Sequence, residues 1–257
     1  MTNLPFPIVF EDEFFLVLNK PAGMTVNNSD TTAGIQTVQD FMQEYLGIKL
    51  PQGFVKSEEY SDEQAFYERA GIAHRLDKET SGILLVAKTV ESFSALLTQF
   101  RERTIKKSYI ALAHGKVMQD EGEISAPVGR LPWNRRQFGV VAGGREAKTL
   151  YKIKNYYKSP VAKQKEILTL LELFPVTGRT HQIRVHLKYI NHPIFSDFLY
   201  AGRKVQRDDR NILERVFLHA YSIQLYHPIT KEEMYFIAEL PHELQSVLDI
   251  SEKVEIE

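Results

Sequence analysis

The chain has 257 residues, and 32 lysines and arginines stand against 33 aspartates and glutamates, which gives a formal net charge of −1. It contains no cysteine, which excludes a disulfide scaffold, a thiol nucleophile and cysteine-ligated zinc or iron–sulfur centres. The N-terminus lacks the basic region and apolar run of a secretory signal, and no stretch reaches the roughly 18 apolar residues of a membrane span. We therefore expect a cytoplasmic protein without a membrane partner.

The N-terminal third of the chain predicts short strands followed by a helix. Residues 8–10 and 14–18 are β-rich runs on either side of an acidic turn. A Pro/Gly turn at 19–23 ends this pair. Residues 35–46 carry apolar side chains at helical spacing and predict an amphipathic helix. The polar, acidic residues 50–69 are typical of a loop or a partly helical insertion.

The middle of the chain alternates between strand and helix patterns. An apolar run at 83–87 predicts a buried strand, and residues 90–99 place their apolar side chains on one side of a helix. Residues 107–115 alternate as a strand does. Residues 129–144 are rich in glycine, proline and arginine, which favours an exposed loop or hairpin.

The C-terminal half adds more strands than helices. Strands are predicted at 150–156, 167–174, 217–226 and 234–238, with a turn at 227–230 before the last of them. Helices are predicted at 180–189, with Thr180 as a possible cap, and at 241–247. Because helices interrupt the strands irregularly, we expect one mixed α+β domain over residues 8–245. Residues 1–7 and the acidic residues 246–257 are expected to be tails.

The near-zero net charge hides a basic segment. Residues 129–154 contain seven lysines and arginines and a single acid, Glu146. A polyanion binder needs a local positive surface rather than a positive total charge. Trp133 lies in this segment and offers a stacking face. The alternative is that these side chains form an ordinary solvated face.

One acidic residue stands out in residues 73–88. Asp77 lies beside Arg75 and Lys78, in a loop that leads into the predicted buried strand. A carboxylate next to cations stays ionised at neutral pH, and an ionised Asp can act as a nucleophile or a general base. The alternative is an Asx-turn or loop cap, which is the commoner role of an isolated Asp.

A second stretch, residues 175–187, crowds polar groups around a predicted helix start. Arg179, His181 and Arg184 lie within about two helical turns, at an end that favours anions. His181 and His186 are five positions apart, so they do not share a helical face as a metal-binding pair would. The zinc-protease pattern HExxH is absent as well. We therefore expect no metal site.

Together the two stretches resemble a known family. Residues 74–88 (HRLDKETSGILLVAK) and 177–187 (TGRTHQIRVHL) resemble the RluA family of RNA pseudouridine synthases. Further matches follow in the family's order: an opening segment at 11–24, a K-x-Y-x-A motif at 107–111, a basic middle section at 127–149 and a C-terminal strand pair at 217–228. The resemblance spans about residues 8–240.

The resemblance implies an enzyme that isomerises uridine in RNA without a cofactor. It also implies a pseudouridine synthase catalytic domain, with a mainly antiparallel sheet flanked by helices and loops. Asp77 matches the catalytic carboxylate, and Arg184 matches the arginine that keeps it ionised. Ile183 would form part of the apolar floor under the base. Tyr109 matches the tyrosine that stacks on the uracil and takes part in the removal of the C5 proton; otherwise it is a core aromatic.

The resemblance also implies how RNA is bound. Arg75 would enter the space that the extruded nucleotide leaves, and His74 would order the loop. Further RNA contacts are expected from Arg130, Arg135, Arg136 and Arg179. We expect no N-terminal S4 RNA-binding domain, so affinity would come from the catalytic domain itself. The expected partner is a stem-loop of ribosomal or transfer RNA, and the expected state is a monomer.

Two other functions are compatible with parts of the pattern. The first is a catalytically silent RNA-binding module on the same fold. The second is a metal-dependent nuclease or hydrolase, whose activity would be lost in EDTA. Within the enzyme interpretation two mechanisms stay open, because Asp77 could attack C1′ of the ribose or remove the C2′ proton to give a glycal.

Overall fold

The computed structural model describes residues 4–29, 32–49, 51, 54, 61–161 and 166–255. Its contacts divide the chain into two compact units. The first unit comprises Met1–Lys106 and Ser222–Ala238, and the second comprises Lys107–Tyr221 and Glu239–Glu257. In the part of the chain that the structure describes, no helix is long and apolar enough to cross a membrane.

The described residues of the first unit form short antiparallel strands and three helices. Its elements are the strands β1 (Ile8–Glu11), β2 (Phe15–Lys20) and β3 (Ser81–Ala87) and the helices α1 (Val38–Leu46), α2 (Asp62–Glu68) and α3 (Val90–Glu102). β2 pairs with β1 on one side and with β3 on the other, both antiparallel. All seven residues of β3 are buried, as the apolar run predicts.

The helices of the first unit begin at capping residues. α1 begins at Val38 rather than at the predicted residue 35, because Thr37 and Asp40 form a capping box that fixes the start. Phe93 and Leu96 of α3 pack into the same apolar cluster as Phe15 of β2. α2 lies in the predicted insertion 50–69, of which residues 50, 52–53 and 55–60 lie outside the described residues.

The second unit is also built on antiparallel strands. Its strands are β4 (Lys106–His114), β5 (Glu121–Ser125), β6 (Val128–Leu131), β7 (Asn134–Val140), β8 (Lys148–Lys158), β9 (Ile167–Pro175) and β12 (Lys253–Val254). The order is β4-β9-β8-β12, with β5 also on β8, and every pair is antiparallel. β6 and β7 form a separate hairpin, which confirms the hairpin alternative for residues 129–144.

Where the structure describes it, the second unit also contains three helices. They are α4 (Gln182–Tyr189), α5 (Arg203–Asp209) and α6 (His242–Asp249). Leu187 of α4 and Leu244 of α6 belong to one buried apolar cluster with Leu112 of β4 and Leu171 of β9. The helices therefore supply the apolar surface that one face of the sheet needs.

The strands β10 (Leu218–Tyr226) and β11 (Glu233–Ile237) form an antiparallel hairpin. The paired residues, 222–226 and 233–237, belong to the first unit. The predicted turn at 227–230 is present. Nδ1 of His227 accepts hydrogen bonds from the N–H groups of Ile229 and Thr230, at 3.1 and 2.9 Å. Nε2 of His227 lies 2.8 Å from the carboxylate of Asp12, which ties this turn to the turn between β1 and β2.

The α+β class and the mainly antiparallel sheet are as predicted, but the sequence pattern missed some elements. β5, α5 and β12 were not expected. Residues of the two expected tails are also folded: Phe6 is buried, α6 extends to Asp249, and Val254 pairs with Tyr156 of β8. Short elements of this kind owe their structure to tertiary contacts, because their local pattern is too weak to specify one.

Candidate active site

Asp77 lies in the loop that precedes β3. Its main-chain oxygen accepts a hydrogen bond from the N–H of Thr80 at 3.1 Å, which closes a turn around residues 77–80. The neighbouring Leu76 is buried and anchors the loop. Asp77 itself is half-buried, whereas Arg75 and Lys78 are exposed. The loop thus carries the acidic side chains of Asp77 and Glu79 and the basic side chains of Arg75 and Lys78 on one turn.

The buried Lys20 holds this loop through hydrogen bonds to main-chain oxygens. Lys20, the last residue of β2, is completely buried. Its ammonium group donates hydrogen bonds to the main-chain oxygens of Pro21, Met24 and Lys78, at 2.7, 2.9 and 3.3 Å. The N–H of Gly23 donates to the same Lys78 oxygen at 2.8 Å. Lys20 lies in the opening segment 11–24 of the resemblance and at the predicted Pro/Gly turn, but these contacts were not predicted from the sequence.

His74 connects the same loop to β3. Its Nε2 accepts a hydrogen bond from the N–H of Leu85 at 3.0 Å, so this nitrogen carries no proton. The ring centroid lies 5.0 Å from that of Phe100 on α3. These contacts support the interpretation that His74 orders the loop.

The start of α4 differs from the prediction. The expectation that Thr180 caps the helix is wrong, because His181 is the N-cap, with a φ of 56° and no side-chain capping bond. The side chain of Gln182 organises the turn instead. Its oxygen accepts from the hydroxyl of Thr177 and the N–H of Arg179, at 2.7 and 3.0 Å. Its amide nitrogen donates to the main-chain oxygen of Lys148 at 3.0 Å, which fastens α4 to β8.

His186 strengthens this attachment. Its Nδ1 lies 2.9 Å from the hydroxyl of Thr149, and its Nε2 lies 3.0 Å from the main-chain oxygen of Ala126. Because a carbonyl only accepts, Nε2 carries the proton. Burial lowers the pKa of His186, against a smaller opposite effect of the Ala126 hydrogen bond.

In the part of the chain that the structure describes, no group of three or more His, Cys, Asp or Glu could hold a metal ion.

Arg184 is held in a buried ion pair with Asp197, which the sequence pattern did not predict. Its Nε and Nη2 donate to the two carboxylate oxygens of Asp197, at 2.7 and 2.9 Å. Asp197 is completely buried, and the Arg184 side chain is 4 % exposed. The guanidinium also lies over the ring of Tyr200, with Cζ 5.1 Å from the centroid. The pairing of Arg184 with Asp77 stays a prediction.

The other predicted residues of the second unit are distributed over several elements. Tyr109 lies in β4 opposite Leu173, is half-buried and packs against the core. Ile183 is buried at the start of α4. The Nε of Arg179 donates to the main-chain oxygen of Glu146 at 3.0 Å, so this arginine braces the segment that precedes β8.

The β6–β7 hairpin carries three of the seven cations of the basic segment, Arg130, Arg135 and Arg136. Arg130 is exposed, with its Cζ 5.2 Å above the ring of Phe138, and Trp133 is 79 % exposed. Arg135 and Arg136 lie in β7, and their side chains fall outside the described part of the structure. The hairpin therefore offers at least one cation and one large aromatic face to solvent.

The chain is similar to known proteins of one family. Residues 14–189 match the family model described as RNA pseudouridylate synthase. The chain is 34% identical over 248 residues to "Ribosomal large subunit pseudouridine synthase D" of Nitrosomonas europaea, covering 95% of this chain and 65% of that relative. It is 35% identical to "Uncharacterized RNA pseudouridine synthase" of Aquifex aeolicus, covering 95% and 72% of the two chains. The chain thus spans slightly less than two thirds of the first relative.

The fold is shared with solved structures as well. "Human RNA Pseudouridylate Synthase Domain Containing 1" superposes with a TM-score of 0.70 at 24% sequence identity, over 97% of this chain and 89% of that one. The family model covers more than half of the chain and includes Asp77, Tyr109 and Arg184. As the RluA-like motifs predict, the chain belongs to the RNA pseudouridylate synthase family.

Proposed function

We propose that the chain is an RNA pseudouridine synthase that acts on large-subunit ribosomal RNA, with Asp77 as the catalytic carboxylate. The match of residues 14–189 to the family model carries the proposal, because that range contains Asp77, Tyr109 and Arg184. The substrate is inferred from the names of relatives in Nitrosomonas and Neisseria, which are ribosomal large subunit enzymes. A stem-loop of transfer RNA is the second candidate.

The reaction is an isomerisation and consumes no second substrate. The N1–C1′ bond of uridine breaks, the uracil turns, and a C5–C1′ bond forms. The proton on C5 leaves, and N1 gains one. Asp77 would either attack C1′ or take the C2′ proton, and both routes require an ionised carboxylate positioned against the sugar.

Arg184 and Ile183 would assist Asp77 from consecutive positions of α4. We assign Arg184 as the cation that pairs with the Asp77 carboxylate. Its Nε and Nη2 donate to Asp197, so the proposed pairing would use N–H groups of the guanidinium other than these two. Ile183 is buried beside it and would support the base. Tyr109 would stack on the uracil, an interaction worth roughly 1–3 kcal/mol.

RNA binding is assigned to the exposed basic groups. The target uridine must leave its stack to reach Asp77, and the exposed Arg75 is proposed to occupy the vacated space. Arg130 and Trp133 of the hairpin would contact the phosphates and an unpaired base. No cofactor or membrane takes part in this scheme, and a monomer is sufficient for it.

The test uses unmodified transcripts of large-subunit ribosomal RNA that carry tritium at C5 of uridine. Wild-type protein is expected to release tritium, also in EDTA, and the Asp77→Asn variant is expected to bind the RNA but release none. Release by Asp77→Asn at the wild-type rate would refute the role of Asp77. Binding without release by the wild type, on ribosomal and transfer RNA transcripts alike, would favour the silent RNA-binding module.

A further inference from the structure

The guanidinium of Arg184 is enclosed by two residues of one turn. Asp197 accepts from Nε and Nη2 in a bidentate pair, at 2.7 and 2.9 Å. The guanidinium Cζ also lies over the ring of Tyr200, 5.1 Å from its centroid. A planar guanidinium held along one edge by a bidentate pair and packed over a ring cannot rotate without breaking these contacts.

The carboxylate of Asp197 is itself fixed by the backbone. Its Oδ1 accepts further hydrogen bonds from the N–H groups of Leu199 and Tyr200, at 3.0 and 3.2 Å. The preceding residue, Ser196, is buried and has a φ of 61°, which is uncommon for a residue other than glycine. The N–H of Ser196 donates to the carboxylate of Asp209 at 3.0 Å, which holds the turn in this conformation.

The hydroxyl of Tyr200 joins the turn to two other elements. It accepts a hydrogen bond from the N–H of Phe138 in β7 at 3.1 Å, and it lies 2.9 Å from Nδ1 of His181, the N-cap of α4. Gln137 of β7 also donates to the main-chain oxygen of Leu199 at 2.8 Å. The turn therefore contacts both the helix that carries Arg184 and the basic hairpin.

We propose that Asp197 and Tyr200 are positioning residues that hold the Arg184 guanidinium in the orientation needed for catalysis. With Nε and Nη2 bound to Asp197, the plane of the guanidinium and hence the directions of its other N–H groups are set. The inference rests on the proposed function, because it gives Arg184 the role of partner to Asp77. It adds that two residues outside every motif found in the sequence make that role possible.

A purely structural role would also explain a buried ion pair, so the test must separate the two. The first variant is Asp197→Asn, which keeps the shape but removes the charge. Its single-turnover rate on the ribosomal RNA transcript, at saturating enzyme, is expected to fall about 100-fold, the order seen when a catalytic group is misplaced by 1 Å. Affinity for the RNA is expected to stay within about two-fold of the wild type, since Asp197 is buried.

The decisive measurement is a double-mutant cycle. If Asp197 acts through Arg184, then Asp197→Asn has no further effect on the rate in an Arg184→Met background. If the rate losses of Asp197→Asn and Arg184→Met multiply in the double variant, the proposal is overturned. A wild-type rate for Asp197→Asn alone would overturn it as well. Glu243→Gln is the matched control, because it also weakens an arginine–carboxylate pair of this unit, Arg215–Glu243 at 3.0 Å. It is expected to keep the wild-type rate.

A second variant covers the case in which Asp197→Asn does not fold. Tyr200→Leu keeps both members of the ion pair but removes the ring beside the guanidinium and the hydroxyl contacts to Phe138 and His181, and its rate is expected to fall at unchanged RNA affinity. A wild-type rate for Tyr200→Leu would overturn the proposal that Tyr200 positions the Arg184 guanidinium. Wild-type protein that forms no pseudouridine would instead refute the proposed function, so the two failures are distinguishable.

Discussion

The ammonium group of Lys20 donates a hydrogen bond at 3.3 Å to the main-chain oxygen of Lys78, the residue that follows Asp77. Lys20 is completely buried, and a buried ammonium is tolerated only when its donors are satisfied. Here Pro21 and Met24 supply two more acceptors. The position of the Asp77 loop is therefore coupled to a buried charge at the end of β2.

Replacement of Lys20 by methionine should destabilise the protein and reduce its activity. Methionine fills much of the space but removes the lysine donor from the main-chain oxygens of Pro21 and Met24, at about 1–3 kcal/mol for each unsatisfied group, whereas the Lys78 oxygen keeps its bond from Gly23. Loss of the lysine's own desolvation cost offsets part of this. Urea unfolding should show a net loss of about 2 kcal/mol, and tritium release should fall more than RNA affinity. Lys106→Met, at an exposed position of the same unit, is the control; wild-type activity in Lys20→Met would contradict the coupling.

His114 lies between two carboxylates in the second unit. Its Nδ1 is 2.5 Å from Glu166, and its Nε2 is 2.8 Å from the buried Asp209. Burial alone would lower the pKa of His114, but the two carboxylates outweigh it and raise the pKa from 6.5 to about 9. The imidazolium form therefore belongs to the folded state at neutral pH. Asp209 in turn holds Ser196, next to Asp197.

This raised pKa predicts a loss of stability at alkaline pH. The unfolded chain gives up the His114 proton near pH 6.5, and the folded chain near pH 9. The stabilisation is thus complete below about pH 6.5 and disappears as the pH rises to about 9. Urea unfolding of the wild type between these values should show a decline of a few kcal/mol at most.

The comparison with His114→Gln tests this origin. The variant should be less stable than the wild type at pH 6 and lack the decline toward pH 9. His242→Gln, at an exposed position of α6, should retain the wild-type decline. An equally steep decline in His114→Gln would assign the pH dependence to other groups.

Tyr109→Phe should separate stacking from proton transfer. The ring is kept, so RNA affinity should stay at the wild-type level. If the hydroxyl takes part in removal of the C5 proton, single-turnover tritium release should slow by about 100-fold, the lower range for general acid–base catalysis. Tyr235→Phe, at an exposed position of β11, serves as the control. A wild-type rate for Tyr109→Phe would show that the Tyr109 hydroxyl takes no part in removal of the C5 proton and that the residue only stacks on the uracil.

Charge reversal in the hairpin should weaken RNA binding and change its salt dependence. The double variant Arg135→Glu with Arg136→Glu removes two cations from β7. Each lost phosphate contact should reduce the slope of log K against log salt by about 1. Lys158→Glu with Lys253→Glu, at exposed positions of β8 and β12, should leave the slope unchanged. A wild-type slope in the hairpin variant would show that Arg135 and Arg136 do not contact phosphates and form an ordinary solvated face instead.

Local pattern was sufficient for most of the fold. The apolar run of β3 predicts a buried strand because a strand covered on both faces needs a continuous apolar sequence, and all of its residues are buried. The turn at His227 and the β6–β7 hairpin follow from equally local signals. The start of α4 did not, since Gln182 organises it through residues of β8 and of the preceding turn.

The sequence by itself determined the family, the α+β class and the candidates Asp77, Tyr109 and Arg184, because motif spacing and apolar periodicity are local properties of the chain. Only the tertiary structure revealed that Asp197 and Tyr200 hold Arg184 and that Lys20 supports the loop of Asp77. The physical reason is that a buried charge must find its partners wherever the fold brings them. Those partners lie 13 and 58 positions away along the chain for Arg184 and Lys20, and no local pattern encodes them.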